Sequence, residues 1–254
     1  MLTRWLISCV LVLSLSSCFP EDKQISTTKP IDHTAWTLLL EKHVDAEGFV
    51  NYKAFQADSL SLNDYLKLLS KNNPNDAFWT EEEQLAYWIN AYNAFTIQIV
   101  LRHYPLESIR DIAGAIPFVN SVWDVDFIRI EDRVYSLNNI EHGILRSHFK
   151  EPRIHFAINC ASMSCPQLRG EAYTASKLEK QLGEQVVLFV NDRSKNDFLE
   201  DELRLSKIFS WFGGDFEDGQ SIPEFLQKYS NVEFSLDADI KFFDYDWRLN
   251  SQEL

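Results

Sequence analysis

The stretch EEEQLAYWINAYNAFTIQIVLRHY, residues 81–104, decides the fold. Thr80 and Glu83 have the spacing of a capping box, in which a hydroxyl and a carboxylate each take up an orphan N–H at a helix start. Glu81, Glu82 and Glu83 also suit the positive end of a helix dipole. Pro105 sets the far end, because the residue before a proline is pushed out of the helical region. Between these limits the chain is apolar on nearly every side. A helix with no polar face is a buried one. The pattern therefore predicts a central helix with Trp88, Ile89, Tyr92 and Phe95 in the core. Asn90 and Asn93 lie inside it, and buried amides must find partners.

Toward the N-terminus, Leu62, Tyr65, Leu66 and Leu69 recur at helical spacing over Ser61–Ser70, and Asn72-Asn73-Pro74-Asn75 stops that helix. Asp32 is placed to cap an earlier helix that runs to about His43. A turn at Gly48 then leads into the extended piece FVNY. Toward the C-terminus, the alternating run FIRI-ED-RVYSL within residues 125–137 reads as a hairpin. A short helix follows from Ser136 or Asn138 to Arg146. IHFAIN, residues 154–159, reads as a short apolar strand. Thr174 to about Asn191 is a helix, and Asp197–Ser206 is a second hairpin. Gly213-Gly214 reads as a turn. The tail is aromatic and strand-like, down to Asp244-Tyr245-Asp246-Trp247. Helices come first, with short antiparallel hairpins mixed in later. That order predicts an α+β fold, a largely helical single domain over residues 34–254, and excludes a doubly wound parallel sheet.

The first residues, MLTRWLISCVLVLSLSSC, have one charge, Arg4, before an apolar run from Trp5 to Leu15. That run is shorter than the ~20 residues a membrane-spanning helix needs. Its order of basic start, apolar middle and small residues is that of a secretory signal. Leu15-Ser16-Ser17-Cys18 resembles the lipobox of bacterial lipoproteins. The resemblance implies removal of residues 1–17, lipid on Cys18 and residence in the cell envelope. With Phe19 and Pro20 after the cysteine, it implies the outer membrane, facing the periplasm, in a Gram-negative cell. Residues 18–33 are polar and read as a flexible tether.

The whole chain carries 24 basic and 38 acidic residues, a net charge of −14. Loss of Arg4 makes the mature chain more acidic by a single charge. Such a surface disfavours nucleic acid and anionic headgroups. A hydrophobic fraction of 45%, with 13% aromatics, supports a real core. Beyond Cys18 the mature chain keeps two cysteines, Cys160 and Cys165, too few for a disulfide scaffold.

Those two lie in the least generic segment, RIHFAINCASMSCP (153–166). A strand ending at Asn159-Cys160 would display the thiol, and the small residues after it would let amides form an oxyanion nest. A thiol needs a base nearby to become a nucleophile. His142 is one, four residues from Arg146 and so on its face. His155 is the other. In a strand it shares a face with Ala157 and Asn159, opposite Cys160, which favours His142. Asn90 or Asn93 would orient the imidazole, and Glu141 is a further partner. Arg146, His155 and Asn159 are expected to line the binding site. In an oxidising compartment Cys160 and Cys165 can instead close a disulfide, either structural or a redox couple. No tight ligand spacing supports a metal, and no cofactor motif is present.

AYWINAYNAF, SLNNIEHGILR, RIHFAINCASMSCP, LSKIFSWF and YDWRLN, in that order, resemble the domain-of-unknown-function family numbered 547, from about Trp36 to Asn250. The resemblance implies one α+β domain and draws attention to Asn90, Asn93, Glu141, His142, His155 and Cys160. It supplies no substrate. The leading functional expectation is an exported, cysteine-dependent hydrolase or acyl transferase acting on amide or thioester bonds in the envelope, with Cys160 as nucleophile and His142 as base. The alternatives are a non-enzymatic lipoprotein that binds a small molecule or envelope peptide, and a periplasmic thiol redox protein.

Overall fold

Thr80 Oγ1 accepts the Glu83 N–H at 3.2 Å, and Glu83 Oε2 accepts the Thr80 N–H at 2.8 Å, so the capping box opens the long helix as the sequence predicts. That helix is α4, Glu81–His103. It follows α1 (Thr34–His43), α2 (Tyr52–Ala57) and α3 (Ser59–Ser70). The computed structural model describes residues 26–115 and 121–253. The expected signal segment, Cys18 and the first residues of the expected tether lie outside the described residues.

Trp88, Ile89, Tyr92 and Phe95 are all buried. Around α4 they form a cluster with Trp36, Phe55 and Tyr65 from the preceding helices. Burying one such side chain is worth about 1.5–3 kcal/mol, so apolar packing here dominates the helix's intrinsic propensity. α1 starts one residue away from the expected cap. His33 occupies that position without capping, and the Asp32 carboxylate accepts the Thr34 N–H and hydroxyl. Residues 26–33 are docked, not a free tether. Thr28 Oγ1 donates to Asn73 O at 2.6 Å, and Trp79 Nε1 donates to Thr28 O at 2.9 Å.

After α5 (Asp111–Ala115), β1 (Ile128–Ile130) and β2 (Arg133–Tyr135) pair antiparallel, and Glu131 takes a left-handed conformation in their turn. α6 (Leu137–Ile140) runs into a π-helical turn, Glu141–Leu145, and then α7 (Arg146–His148). α8 spans Leu178–Val190. β3 (Asp197–Phe198) and β4 (Glu202–Leu205) make the second hairpin. α9 (Lys207–Trp211), α10 (Gly213–Phe216) and α11 (Ile222–Gln227) follow, so Gly213-Gly214 starts a helical turn. The tail strand β5 (Asp239–Phe242) pairs parallel to β4. The whole is an α+β single domain with small sheets. Among the described residues no helix is long and apolar enough to cross a membrane.

The expected strand at Ile154–Asn159 does not form. Pro152–Phe156 is a 3₁₀ helix, and irregular backbone follows it to Cys160. A short apolar run does not by itself distinguish strand from helix. Here Pro152 presets a helical φ and lacks the N–H a strand would pair, and the Glu151 carboxylate accepts the Arg153 N–H at 3.0 Å. The segment threads between two cores. Ile154, Ala157 and Ile158 face the α4 cluster, while Phe156 joins a second cluster with Phe189, Phe209, Phe216 and Phe225. With the strand goes the alternation that set His155 apart from Cys160.

Candidate functional site

The cysteine loop is braced from behind by the central helix. Asn93 Nδ2 donates to Ala157 O at 2.9 Å, and Asn93 Oδ1 accepts the Asn159 N–H at 2.8 Å. Asn90 does the same for another passing chain, binding both the carbonyl and the N–H of Tyr173. Both amides are thus spent on backbone, and neither is bonded to His142. The role expected for them as orienters of a base is replaced by one of docking non-regular chain onto α4. Asn159 is buried too. It donates to Pro166 O and accepts the Ala161 N–H, which closes the loop on itself.

The C-terminal tail covers the loop. The N–H groups of Met163 and Ser164 donate to Arg248 O and Asp246 O, and Asn250 N–H donates to Ala161 O. With Cys160 N–H on Cys165 Sγ and Cys165 N–H on Ser162 O, the amides of residues 159, 160, 161, 163, 164 and 165 all have partners within the protein. The oxyanion nest expected here is therefore not a free set of donors. Ala161 sits at φ 61°, a left-handed conformation rarely adopted by a residue with a Cβ. That strain is held by the bonds on either side of it.

Cys160 and Cys165 are joined in a disulfide, with their Cα atoms 6.2 Å apart. Cys165 is buried, while Cys160 is partly exposed. Both line a cavity of about 170 Å³. Its walls are aromatic. Tyr245 packs on Trp247 with ring centres 4.4 Å apart, Trp211 lies 4.7 Å from Tyr245, and Trp123 meets Trp247 edge-on at 5.5 Å. Trp211 is 47% exposed and forms part of the mouth.

Of the expected polar residues, Glu141, His142 and His155 line this cavity. Arg146 and Asn159, expected to line the binding site, do not: Asn159 faces a different cavity, and Arg146 on α7 is linked to the site through His142 and Asp215. Arg146 makes a fork on Asp215, Nε to Oδ2 at 2.6 Å and Nη2 to Oδ1 at 2.8 Å. His155 Nε2 lies 2.7 Å from the same Asp215 Oδ2, and its ring stacks on Phe212 at 4.1 Å. Bonds from His155 and Arg146 hold the Asp215 carboxyl far below the usual carboxylate range. Burial lowers the His155 pKa despite its carboxylate.

His142 stands on the solvent side. Its Nδ1 is 3.1 Å from Arg146 Nη1. A guanidinium only donates, so Nδ1 accepts and the neutral ring carries its proton on Nε2. Partial desolvation, then Arg146, lowers its pKa. The second partner expected for His142 is thus Arg146, not Asn90, Asn93 or Glu141. Glu141 lies one residue earlier on the π turn, a distortion often found at functional sites. It is buried and accepts from Tyr92 Oη at 3.2 Å, and burial pushes its carboxyl up to about 7.

Sequence reasoning missed Asp215, which lies three residues past the LSKIFSWF segment, and gave no role to Tyr245 or Trp247 inside YDWRLN. An acid directly after Gly213-Gly214 was the available signal. The aromatic wall had none, since its members come from distant segments.

Residues 77–190 match the family model described as Protein of unknown function, DUF547. The match supports the family resemblance over that span. It covers the central helix, Glu141, His142, His155 and both cysteines, and stops before Asp215, Trp211 and Tyr245. No curated protein and no solved structure matches the chain.

Proposed function

We propose that this protein is an exported, lipid-anchored thiol–disulfide exchange protein whose redox couple is Cys160–Cys165. The observation that carries the reading is the position of the joined sulfurs. They form part of the wall of a solvent-connected cavity, with Cys160 the accessible partner. A purely structural bridge gains nothing from facing such a cavity. Exchange requires a reachable sulfur and a path for the attacking thiolate. Glu141 on the same wall, half-ionised near neutral pH, is suited to taking up or giving back a proton.

The hydrolase reading draws less support. It needs Cys160 as a free thiol and a base lone pair facing it. Here the thiol is bridged, the His142 Nδ1 lone pair is taken up by Arg146, and His155 is committed to Asp215. Anchoring rests on Leu15-Ser16-Ser17-Cys18. Cys18→Ser is expected to move the protein from the membrane fraction to the soluble one.

In exchange, a dithiol in an envelope protein or small molecule is oxidised to its disulfide. Cys160–Cys165 is reduced to two thiols, and two electrons and two protons pass between them. Oxidised protein mixed with a dithiol peptide is expected to yield one equivalent of peptide disulfide, and Cys160→Ser or Cys165→Ser to yield none. A folded protein whose bridge survives excess dithiol peptide contradicts the reading and leaves the cavity as a binding site alone.

A further inference from the structure

Three groups crowd the bridge. The Cys160 N–H donates to Cys165 Sγ at 2.9 Å, and the Tyr245 hydroxyl donates to the same sulfur at 3.3 Å. Ser162 Oγ donates to Tyr245 Oη at 3.1 Å. That bond occupies a lone pair on the phenol and leaves its proton directed at sulfur. Cys160 Sγ has contacts of 3.3 Å to Ser162 Oγ and 3.4 Å to Tyr245 Oη, but no backbone N–H aimed at it among the described residues. The two sulfurs are therefore not equivalent. One is partly exposed. The other is buried and alone receives a backbone N–H, that of Cys160, beside the Tyr245 phenol.

We infer that an incoming thiolate attacks Cys160 and expels Cys165, and that Tyr245 is a catalytic residue that stabilises the departing Cys165 thiolate together with the Cys160 amide. The inference rests on the exchange reading above. Donors poised where negative charge develops need no reorganisation during the reaction, and they act more strongly in a site shielded from water. The substrate thiolate forms a bond to Cys160 Sγ, the Cys160–Cys165 bond breaks, and its electron pair leaves on Cys165 Sγ. When the substrate carries a second thiol, that thiol attacks its own sulfur in the mixed disulfide. Cys160 is then released as a thiolate, and both cysteines take protons from solvent. The indoles of Trp211 and Trp247 flank Tyr245, so the favoured substrate presents an apolar or aromatic neighbour beside its thiol.

The experiment is reduction of the oxidised full chain by glutathione in excess, quenched in acid and mapped by peptide mass spectrometry. Glutathione is expected on Cys160, with Cys165 free. Tyr245→Phe, oxidised and folded by circular dichroism, is expected to open about tenfold more slowly, the scale of one hydrogen bond to a charged group. Glutathione on Cys165, or a Tyr245→Phe rate equal to wild type, overturns the inference while leaving exchange intact. If Tyr245→Phe does not fold, the site of glutathione attachment in the wild-type chain decides alone. A wild-type bridge that glutathione does not open at all counts against both readings.

Discussion

Two buried histidines in this molecule are built almost alike. His43 Nε2 lies 2.7 Å from Asp58 Oδ2, and its ring stacks on Phe55 at 4.5 Å. His155 Nε2 lies 2.7 Å from Asp215 Oδ2, and its ring stacks on Phe212 at 4.1 Å. Each aspartate has a cation as well, Lys42 in the first case and Arg146 in the second. The difference is what surrounds them. His43 is shut between α1 and α2, with Nδ1 buried and without a hydrogen-bond partner among the described residues. His155 lines the cavity beside the cysteine bridge, and its aspartate holds Arg146, which in turn fixes His142. A buried His–Asp pair on a phenylalanine is thus a device for packing an imidazole between elements. It does not mark catalysis, and only its place on the cavity gives the second pair a functional setting.

The largest expected effects test that distinction directly. Truncating either ring removes a well-packed buried side chain, so His43→Ala and His155→Ala should each lose about 2–5 kcal/mol in denaturant unfolding. Only His155→Ala should also change the rate at which a dithiol opens Cys160–Cys165. An equal rate change in His43→Ala would dissolve the contrast between the two regions.

A pH profile sharpens it. Glu141 has its pKa raised by burial from an ordinary 4.5 to about 7. Its neutral form is the one the folded state favours, so its contribution is complete below about pH 4.5 and is lost as pH rises through about 7. A shift of that size corresponds to roughly 3 kcal/mol. Asp215 has the opposite sign. Its pKa is depressed, so its contribution is present above the unfolded carboxyl range and is lost on acidification. Glu141→Gln should flatten the decline in stability expected in urea melts between about pH 4.5 and about pH 7, the window between the ordinary carboxyl value and the raised one. An unchanged slope would remove Glu141 as the group that titrates in the cavity.

The smallest effect concerns the cations. Lys42 is exposed, and single surface ion pairs contribute little. Lys42→Ala should leave the melting temperature unchanged. Arg146 is largely covered and makes a two-point contact with Asp215, so Arg146→Ala should cost about 1–3 kcal/mol. Thermal melts that rank the two the other way would show that the two pairs are held together differently.

What was legible in the sequence follows the range of the interactions. α4 could be read because its cap, its apolar periodicity and its proline stop all lie within residues 80–105. The hairpins could be read from alternation and charged turns. The 3₁₀ helix at Pro152–Phe156 could not, because a short apolar run fits two geometries and the choice is made by its two neighbouring cores. His142, Glu141, His155 and Cys160 were legible as unusual residues in unusual segments. Their relations were not. Asp215 reaches His155 across 60 positions, and Tyr245 reaches Cys165 across 80. Asn90 and Asn93 signalled buried polar duty correctly, but periodicity does not say whether such an amide serves backbone or a side chain.

Equilibrium of the full chain with defined mixtures of reduced and oxidised glutathione, followed by alkylation and mass measurement, tests the exchange couple most directly. A working Cys160–Cys165 couple should have a potential in the range of exchange proteins, about −120 to −270 mV, and so be partly reduced across accessible mixtures. A potential below about −300 mV, with the bridge intact in every mixture, belongs to a structural disulfide and would contradict the account.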